Sequence, residues 1–142
     1  KIDNSSSDGL DSDFSNLIIE NISITNSKND CADFSFGNYE IYNAMMSNCG
    51  DKAISVGEQS IMKVNNLFVV KSKTGIASKD SSKTEILKSD INEVNECYAA
   101  YKKKQEFDGG YISVNESKCL NNKKNNLIDG YSKIVINKNN EL

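Results

Sequence analysis

The chain has 142 residues, enough for one domain with a sizeable core, and it lacks proline, tryptophan, histidine and arginine. Without histidine and arginine, a histidine-based catalytic triad, a histidine metal ligand and a bidentate guanidinium clamp are excluded. The net charge of −3 argues against a general nucleic-acid binder, and no apolar run reaches the roughly 18 residues that a membrane span needs.

The N-terminal segment, residues 1–7, is polar and starts at Lys1 without a methionine or a signal-peptide pattern. We therefore expect residues 1–142 to form a single domain that is a mature product, a fragment or a C-terminal module of a longer chain. Because this segment offers little apolar cover, we expect a preceding domain or a second copy of the chain to cover the N-terminal strand edge.

A repeat of about 22 residues runs along the chain. Within each row apolar and polar residues alternate, as in Ile22-Ser23-Ile24, which indicates strands with one buried face. Glycine, asparagine, serine and aspartate lie between these strands, as turns require. The predicted columns are Leu10, Ala32, Ile54, Ile76 and Ala99; Ser12, Phe34, Val56, Ser78 and Tyr101; Ile19, Ile41, Val64 and Leu87; Ile22, Ala44 and Leu67; and Ile24, Met46 and Val69.

This repeat predicts an all-β parallel solenoid of about five to six coils, each made of three short strands that stack on the next coil. Three alternatives fit less well. A leucine-rich repeat needs a denser leucine pattern, and a β-sandwich does not require a nearly constant step. The segment 82–101 can also be read as one helix.

Three segments carry a resemblance to a known architecture. Residues 29–35 (NDCADFS), 50–58 (GDKAISVGE) and 74–80 (TGIASKD) resemble successive coils of right-handed parallel β-helix proteins, the pectate-lyase-like architecture. The resemblance covers roughly residues 8–120. The strings 50–58 and 75–81, followed by YAAY at 98–101, are also similar to a β-helix region of bacterial proteins related to spore-coat protein H.

Acidic residues concentrate near the N-terminus. Residues 1–51 hold nine acidic residues and two lysines, and residues 52–142 hold eleven acidic residues and fifteen lysines, so their net charges are −7 and +4. Asp11, Asp33 and Ser55 should point outward, and Asp8, Asp13 and Asp30 could join them on one face. We consider three interpretations: a solvated face, a calcium site built from Asp11, Asp13 and Asp33, and an acid/base pair for glycoside hydrolysis.

Four cysteines, Cys31, Cys49, Cys97 and Cys119, are too widely spaced for a zinc site. They allow three full disulfide pairings, among which the sequence does not choose. We expect buried free thiols rather than disulfides. The compartment stays undecided, with extracellular or cell-envelope proteins favoured.

An insertion at residues 102–110 (KKKQEFDGG) lengthens one row, and loops extruded from regular coils often carry function. Phe107 could stack on a sugar or a partner, or it could instead pack and close the loop on the solenoid. Lysines here, with Lys79 and Asp80, could supply a base, but the acidic cluster lies two to three coils away. The candidate binding residues are Tyr101, Lys102, Lys103, Lys104 and Phe107.

Val114 and Ile136, 22 residues apart, should resume the third column, with residues 134–136 as a last strand and the polar run 137–141 ending the stack. The sequence favours a non-catalytic module for binding or structural presentation, with a carbohydrate or a parent-chain domain as partner. The alternatives are a lyase or hydrolase acting on an acidic polysaccharide, and a fibre subunit that self-associates through its N-terminal edge. No cofactor is expected apart from calcium.

Overall fold

The computed structural model describes residues 1–137 and is an all-β parallel solenoid of about six coils of about 22 residues. The predicted fold class is therefore confirmed. Within the described residues no helix is long and apolar enough to cross a membrane. The strands are β1 (Ile2–Ser5), β2 (Leu10–Asp13), β3 (Asn16–Ser27), β4 (Ala32–Ser35), β5 (Asn38–Val56), β6 (Ile61–Lys79), β7 (Lys83–Tyr101), β8 (Tyr111–Ile128) and β9 (Lys133–Ile136).

All strand pairs among the described residues are parallel, and each strand lies against its counterpart in the next coil. One column shows the stacking from end to end: Ile2, Ile24, Met46, Val69, Ile91 and Cys119 occupy equivalent positions. The helix considered for residues 82–101 is wrong, because β7 occupies Lys83–Tyr101. Val114 and Ile136 do resume the third column, and the predicted last strand is β9.

Three predicted column members are wrong, and all three lie in β7. The step between β6 and β7 is 22 residues throughout, whereas the prediction used 23. A shift of one residue moves a side chain to the opposite face of a strand, so the error exchanged inward for outward residues. The correct members are Tyr98 in place of Ala99, Ala100 in place of Tyr101, and Ile86 in place of Leu87.

The core consists of inward columns that run along the solenoid axis. Phe34, Met46, Ile54, Ile76 and Ile91 are fully buried. Tyr98 is buried among them, and its hydroxyl lies 2.6 Å from Ser89 Oγ and 2.5 Å from Ser117 Oγ. Because buried hydroxyls need partners, these two serines explain how a tyrosine fits a core column.

One corner of every coil has a residue in the left-handed backbone region. Asparagine tolerates this region better than most other residues, which accounts for part of the asparagine content. Asparagines also hydrogen-bond from coil to coil: Asn43 Nδ2 donates to Asn21 Oδ1, and Asn66 Nδ2 donates to Asn43 Oδ1, each at 3.0 Å. At this corner the left-handed residues are Asn4, Asn26, Asn48, Lys71, Glu93 and Asn121, with φ between 50° and 62°.

The cysteines form two disulfides, Cys31–Cys49 and Cys97–Cys119, so the expectation of free thiols is wrong. Each bridge joins neighbouring coils, and its partners are 18 and 22 residues apart in the sequence, respectively. Cys31 and Cys97 occupy the same position of coils that are three apart, as the strand register shows. The two disulfides therefore crosslink the early and the late part of the stack in a similar way.

The stack is described from its N-terminal end to Asn137 near its C-terminal end. The polar N-terminal segment contains β1, which pairs with β3 and places Ile2 against the core. At the other end Asn137 Nδ2 donates to Asn115 Oδ1 at 3.2 Å. The remainder of the polar run predicted to end the stack lies outside the described residues.

Loop-closure entropy predicts the contribution of the first disulfide to stability. We expect the double substitution Cys31→Ala with Cys49→Ala to lower the free energy of unfolding by about 3 kcal/mol, because it frees a closed loop of 18 residues in the unfolded chain. Urea titration followed by circular dichroism measures this loss. Reduction of the wild-type protein should lower the midpoint further, and an unchanged midpoint after reduction would contradict the crosslinks.

Candidate binding surface

The insertion at residues 102–110, here the insertion loop, lies between β7 and β8 and is fixed to the solenoid through its backbone. Asp80 Oδ1 accepts hydrogen bonds from the N–H groups of Lys103 and Lys104, at 2.7 and 2.8 Å. Lys102 N–H donates to Asp129 Oδ2 at 2.7 Å. These bonds come from coils on both sides of the loop, so its path is set by the stack.

The far half of the loop is fixed in the same way. Ser81 Oγ accepts from Asp108 N–H at 2.8 Å, and Ser132 Oγ accepts from Gly110 N–H at 3.0 Å. A Cβ at Gly110 would overlap the carbonyl of Ser78, so this residue must be glycine for the loop to rejoin the stack. The sequence prediction of a loop extruded from the regular coils is confirmed, and the structure adds that the loop is anchored.

Side chains of the loop reach coils that precede it. Lys104 Nζ lies 2.6 Å from Glu58 Oε1, and the Phe107 ring meets the Phe36 ring edge-on at 6.2 Å between centroids. In the other direction Lys102 Nζ lies 5.0 Å from the centre of the Tyr131 ring. The loop therefore runs along the solenoid axis over one corner and contacts several coils.

Phe14, Phe36 and Phe107 form an aromatic corner next to the loop. The Phe14 and Phe36 rings stack with their centroids 4.7 Å apart and their planes 2° from parallel. Both residues are left-handed, with φ of 52° and 48°, and Phe14 is 77% exposed. Gln59 and Ser81 are left-handed at the equivalent position of the next two coils, so this conformation belongs to the turn of each coil and fixes the direction in which both rings leave the corner.

On the other side of the loop lies a concave polar pocket of about 400 Å³. Within it Lys52 Nζ lies 2.5 Å from Asp51 Oδ2, and Thr74 Oγ1 donates to Glu96 Oε1 at 2.6 Å. The pocket is lined by Asp51, Lys52, Lys73, Thr74, Glu96, Tyr101, Lys103 and Leu127. It therefore combines two carboxylates, three ammonium groups and a phenol within one cavity.

Burial and neighbouring charges shift the pKa values of two pocket residues. Burial works to lower the pKa of Lys52, but the hydrogen bond to Asp51 and the charge of Asp30 raise it overall. Burial also raises the pKa of Tyr101, against the opposing charge of Lys52. At neutral pH, Lys52 is accordingly a cation and Tyr101 a neutral hydroxyl, so both can donate hydrogen bonds to a ligand.

Three of the acidic residues near the N-terminus lie close together. Asp8, Asp30 and Asp33 bring carboxylate oxygens within 4.8 Å of one another. Asp8 Oδ1 accepts from Asp30 N–H at 3.0 Å, and Asp30 Oδ1 accepts from Lys52 N–H at 2.9 Å. Lys52 Nζ also lies 3.7 Å from Asp30. Asp8 and Asp30 are thus already engaged with backbone donors, and Asp30 also with an ammonium group.

Two residues of the predicted calcium site, Asp11 and Asp13, lie outside that trio. Asp13 accepts a hydrogen bond from the Ser35 hydroxyl. Burial, followed by the charges of Asp13 and Asp33, raises the pKa of Asp11. Ser55, which pairs with Asp33 in the next coil, is fully buried. Calcium binding at Asp11, Asp13 and Asp33 stays a prediction from the sequence.

The structure also locates the predicted binding residues. Tyr101 and Lys103 line the polar pocket, and Lys102 and Lys104 flank them, paired with Tyr131 and Glu58. Phe107 lies at the aromatic corner, where it is half-buried, so it both packs on the solenoid and remains accessible. Lys79 and Asp80, which the sequence grouped with the lysines of the loop, are buried, so they do not belong to a solvated cluster.

Sequence reasoning missed several residues of this surface. Phe14 and Phe36 lie 22 residues apart, so the repeat carried a signal for their stacking. Asp30, Lys52, Thr74 and Glu96 likewise occupy one polar column, with steps of 22 residues. Neither the Phe14–Phe36 pair nor this polar column was among the columns from which the fold was predicted.

No protein-family model, curated protein or solved structure matches the chain. Its fold and the geometry of this surface therefore carry the functional argument.

The buried carboxylate of Asp30 gives a prediction for the dependence of stability on pH. Burial, opposed by the N–H and ammonium groups of Lys52, raises the pKa of Asp30, so the folded state binds a proton more readily than the unfolded state. Between the raised pKa and the ordinary pKa, this residue therefore contributes more stability as the pH falls.

We expect the wild-type protein to gain stability relative to Asp30→Asn as the pH is lowered from 7 to 4. Urea titrations at several pH values measure this difference in the free energy of unfolding. Asp90→Asn, which removes a more exposed carboxylate paired with Lys118, controls for the loss of one surface charge. A wild-type advantage that shrinks on acidification would contradict the buried carboxylate.

Proposed function

We propose that this chain is a non-catalytic β-solenoid module that binds carbohydrate on an extracellular or cell-envelope protein. The observation that carries the proposal is the anchored insertion loop, which presents Lys103 to the polar pocket and Phe107 to the aromatic corner. Aromatic rings beside fixed hydrogen-bonding groups are what a sugar ring requires, because its faces are apolar and its edges carry hydroxyls.

The electrostatics favour an acidic carbohydrate. Lys73 and Lys103 line the pocket, and residues 52–142 carry a net charge of +4. Lys52 is held as a cation at neutral pH by Asp51 and Asp30. An anionic sugar would meet these ammonium groups while its hydroxyls donate to Asp51 and Glu96.

Two further features support the assignment. Disulfides persist mainly in oxidising compartments, and both disulfides agree with a secreted or envelope protein. The coil length and the parallel stack are consistent with the right-handed, pectate-lyase-like architecture and with the β-helix region similar to spore-coat protein H. We therefore propose that the chain has this right-handed architecture and is related to the β-helix region of proteins similar to spore-coat protein H.

Binding to defined polysaccharides tests the proposal. We expect the protein to bind polygalacturonate or heparin more tightly than neutral dextran in microscale thermophoresis, with an affinity that falls as salt is added. Phe107→Ala should weaken binding about five- to tenfold, the loss expected for one aromatic contact. Lys103→Ala should weaken it and also reduce its salt dependence.

Two matched variants serve as controls. Phe68→Ala and Lys63→Ala remove an exposed ring and an exposed ammonium group that line neither the polar pocket nor the aromatic corner. Both should bind as the wild-type protein does. Absence of binding to all three polysaccharides, or equal losses in the controls, would contradict the proposal.

The polar pocket favours a second candidate function, a carbohydrate-active enzyme. A carboxylate and an ammonium group lie 2.5 Å apart at Asp51 and Lys52, and the Tyr101 phenol lies in the same cavity. Release of new reducing ends or unsaturated products from polygalacturonate, abolished by Lys52→Met, would favour the enzyme. If the polysaccharide stays intact when the protein is saturated with it, the result favours the non-catalytic binding module over the enzyme.

A further inference from the structure

We infer that Asp80 is the positioning residue of the binding surface: it holds the insertion loop in the conformation that presents Lys103 and Phe107. The inference rests on the proposed function and names the group that controls it. Asp80 itself lines neither the polar pocket nor the aromatic corner, so it acts through the loop backbone.

The backbone of Asp80 is fixed by the coil stack on both sides. Its N–H donates to the carbonyl of Tyr101 at 3.3 Å, and its carbonyl accepts from the N–H of Gln59 at 2.9 Å. Asp80 and Ser81 are both left-handed, with φ of 51° and 65°. Two consecutive residues in this region make a sharp turn, so the side chain of Asp80 starts from a fixed point at the corner.

The carboxylate of Asp80 is fully buried and makes two hydrogen bonds, both from the loop. Oδ1 accepts from Lys103 N–H and Lys104 N–H, and Oδ2 has no hydrogen-bond partner among the described residues. Burying a carboxylate is unfavourable unless donors offset its charge. The two loop N–H groups are the donors available, which ties the burial of this charge to the closed loop.

The position of these two N–H groups explains why Asp80 controls the surface. They belong to consecutive residues, so one oxygen atom sets the orientation of two peptide planes. Lys103 then extends to the polar pocket and Lys104 to Glu58. Phe107 N–H donates to the carbonyl of Lys104 at 3.3 Å, which carries the same constraint on to the ring at the aromatic corner.

Substitution of Asp80 tests this role with a measurement that needs no ligand. In Asp80→Ala we expect amide hydrogen exchange of Lys103 and Lys104 to accelerate at least about tenfold, the loss expected for a charge-assisted hydrogen bond. Asp80→Asn keeps an acceptor oxygen at the same place and should retain most of the protection. Residues 83–101 of β7 should exchange as in the wild-type protein, which shows that the solenoid itself remains folded.

A neighbouring variant separates this role from general loosening of the corner. Ser81→Ala removes the acceptor for Asp108 N–H at the far end of the loop, so it should release that amide and leave Lys103 and Lys104 protected. If Ser81→Ala released all three amides, or if Asp80→Ala released none, Asp80 would not be the positioning residue.

The binding experiment then connects the loop to the proposed function. Asp80→Ala should lower the affinity for polygalacturonate or heparin about tenfold, and Asp80→Asn should restore it to within about threefold. If the wild-type protein binds neither polysaccharide, the proposed function fails while the exchange result still decides the role of Asp80. If it binds and Asp80→Ala binds equally well despite an open loop, the positioning inference fails alone.

Discussion

The in-register stacking of parallel coils is the constraint on which the rest of this structure depends. Each strand hydrogen-bonds to its counterpart about 22 residues later, so residues one coil apart occupy the same place around the coil and point in the same direction. The core follows directly, because inward columns such as Ile24, Met46, Val69 and Ile91 become continuous. Since strand side chains alternate, a slip of one residue would expose a whole column.

The same stacking organises the polar residues, and this changes how the composition is interpreted. Asparagine occupies left-handed corners at Asn26 and Asn48. At Asn21, Asn43 and Asn66 its side-chain amides form hydrogen bonds between coils. Each amide can both donate and accept, so it can bond to the coils before and after it. The many asparagines of this sequence therefore suit this fold.

The repeat allowed most of the fold to be predicted because its signal is local and periodic. The prediction failed in β7, where Tyr98 and Ala99 both suit an inward position and only the strand register distinguishes them. It also failed for the cysteines, although Cys31 and Cys97 lie three coil lengths apart. Their partners lie at other positions around the coil, and pairing across the interior depends on the shape of the cross-section.

The contacts of the insertion loop with other coils were the least predictable from the sequence. The insertion interrupts the repeat, so no column relates its residues to their partners. The residues of the loop were identified and Asp80 was grouped with them, but Glu58 and Phe36 were not. By contrast, Phe14 and Phe36 belong to one column, and following aromatic as well as aliphatic columns would have found them.

The length of the insertion matches the distance that it spans. The register between β7 and β8 shifts by 28 residues at Lys83 and Tyr111, which is about six more than a regular coil. Six extended residues reach about 20 Å, but the loop must return to the stack, so its backbone extends at most about 10 Å, or about two coils at the strand spacing. The Phe107 side chain covers the remaining distance to the Phe36 ring, and bonds to Asp80 and Asp129 fix the loop backbone. A loop with so little spare length is a built surface of the solenoid, and this is why a binding role fits it better than a mobile lid.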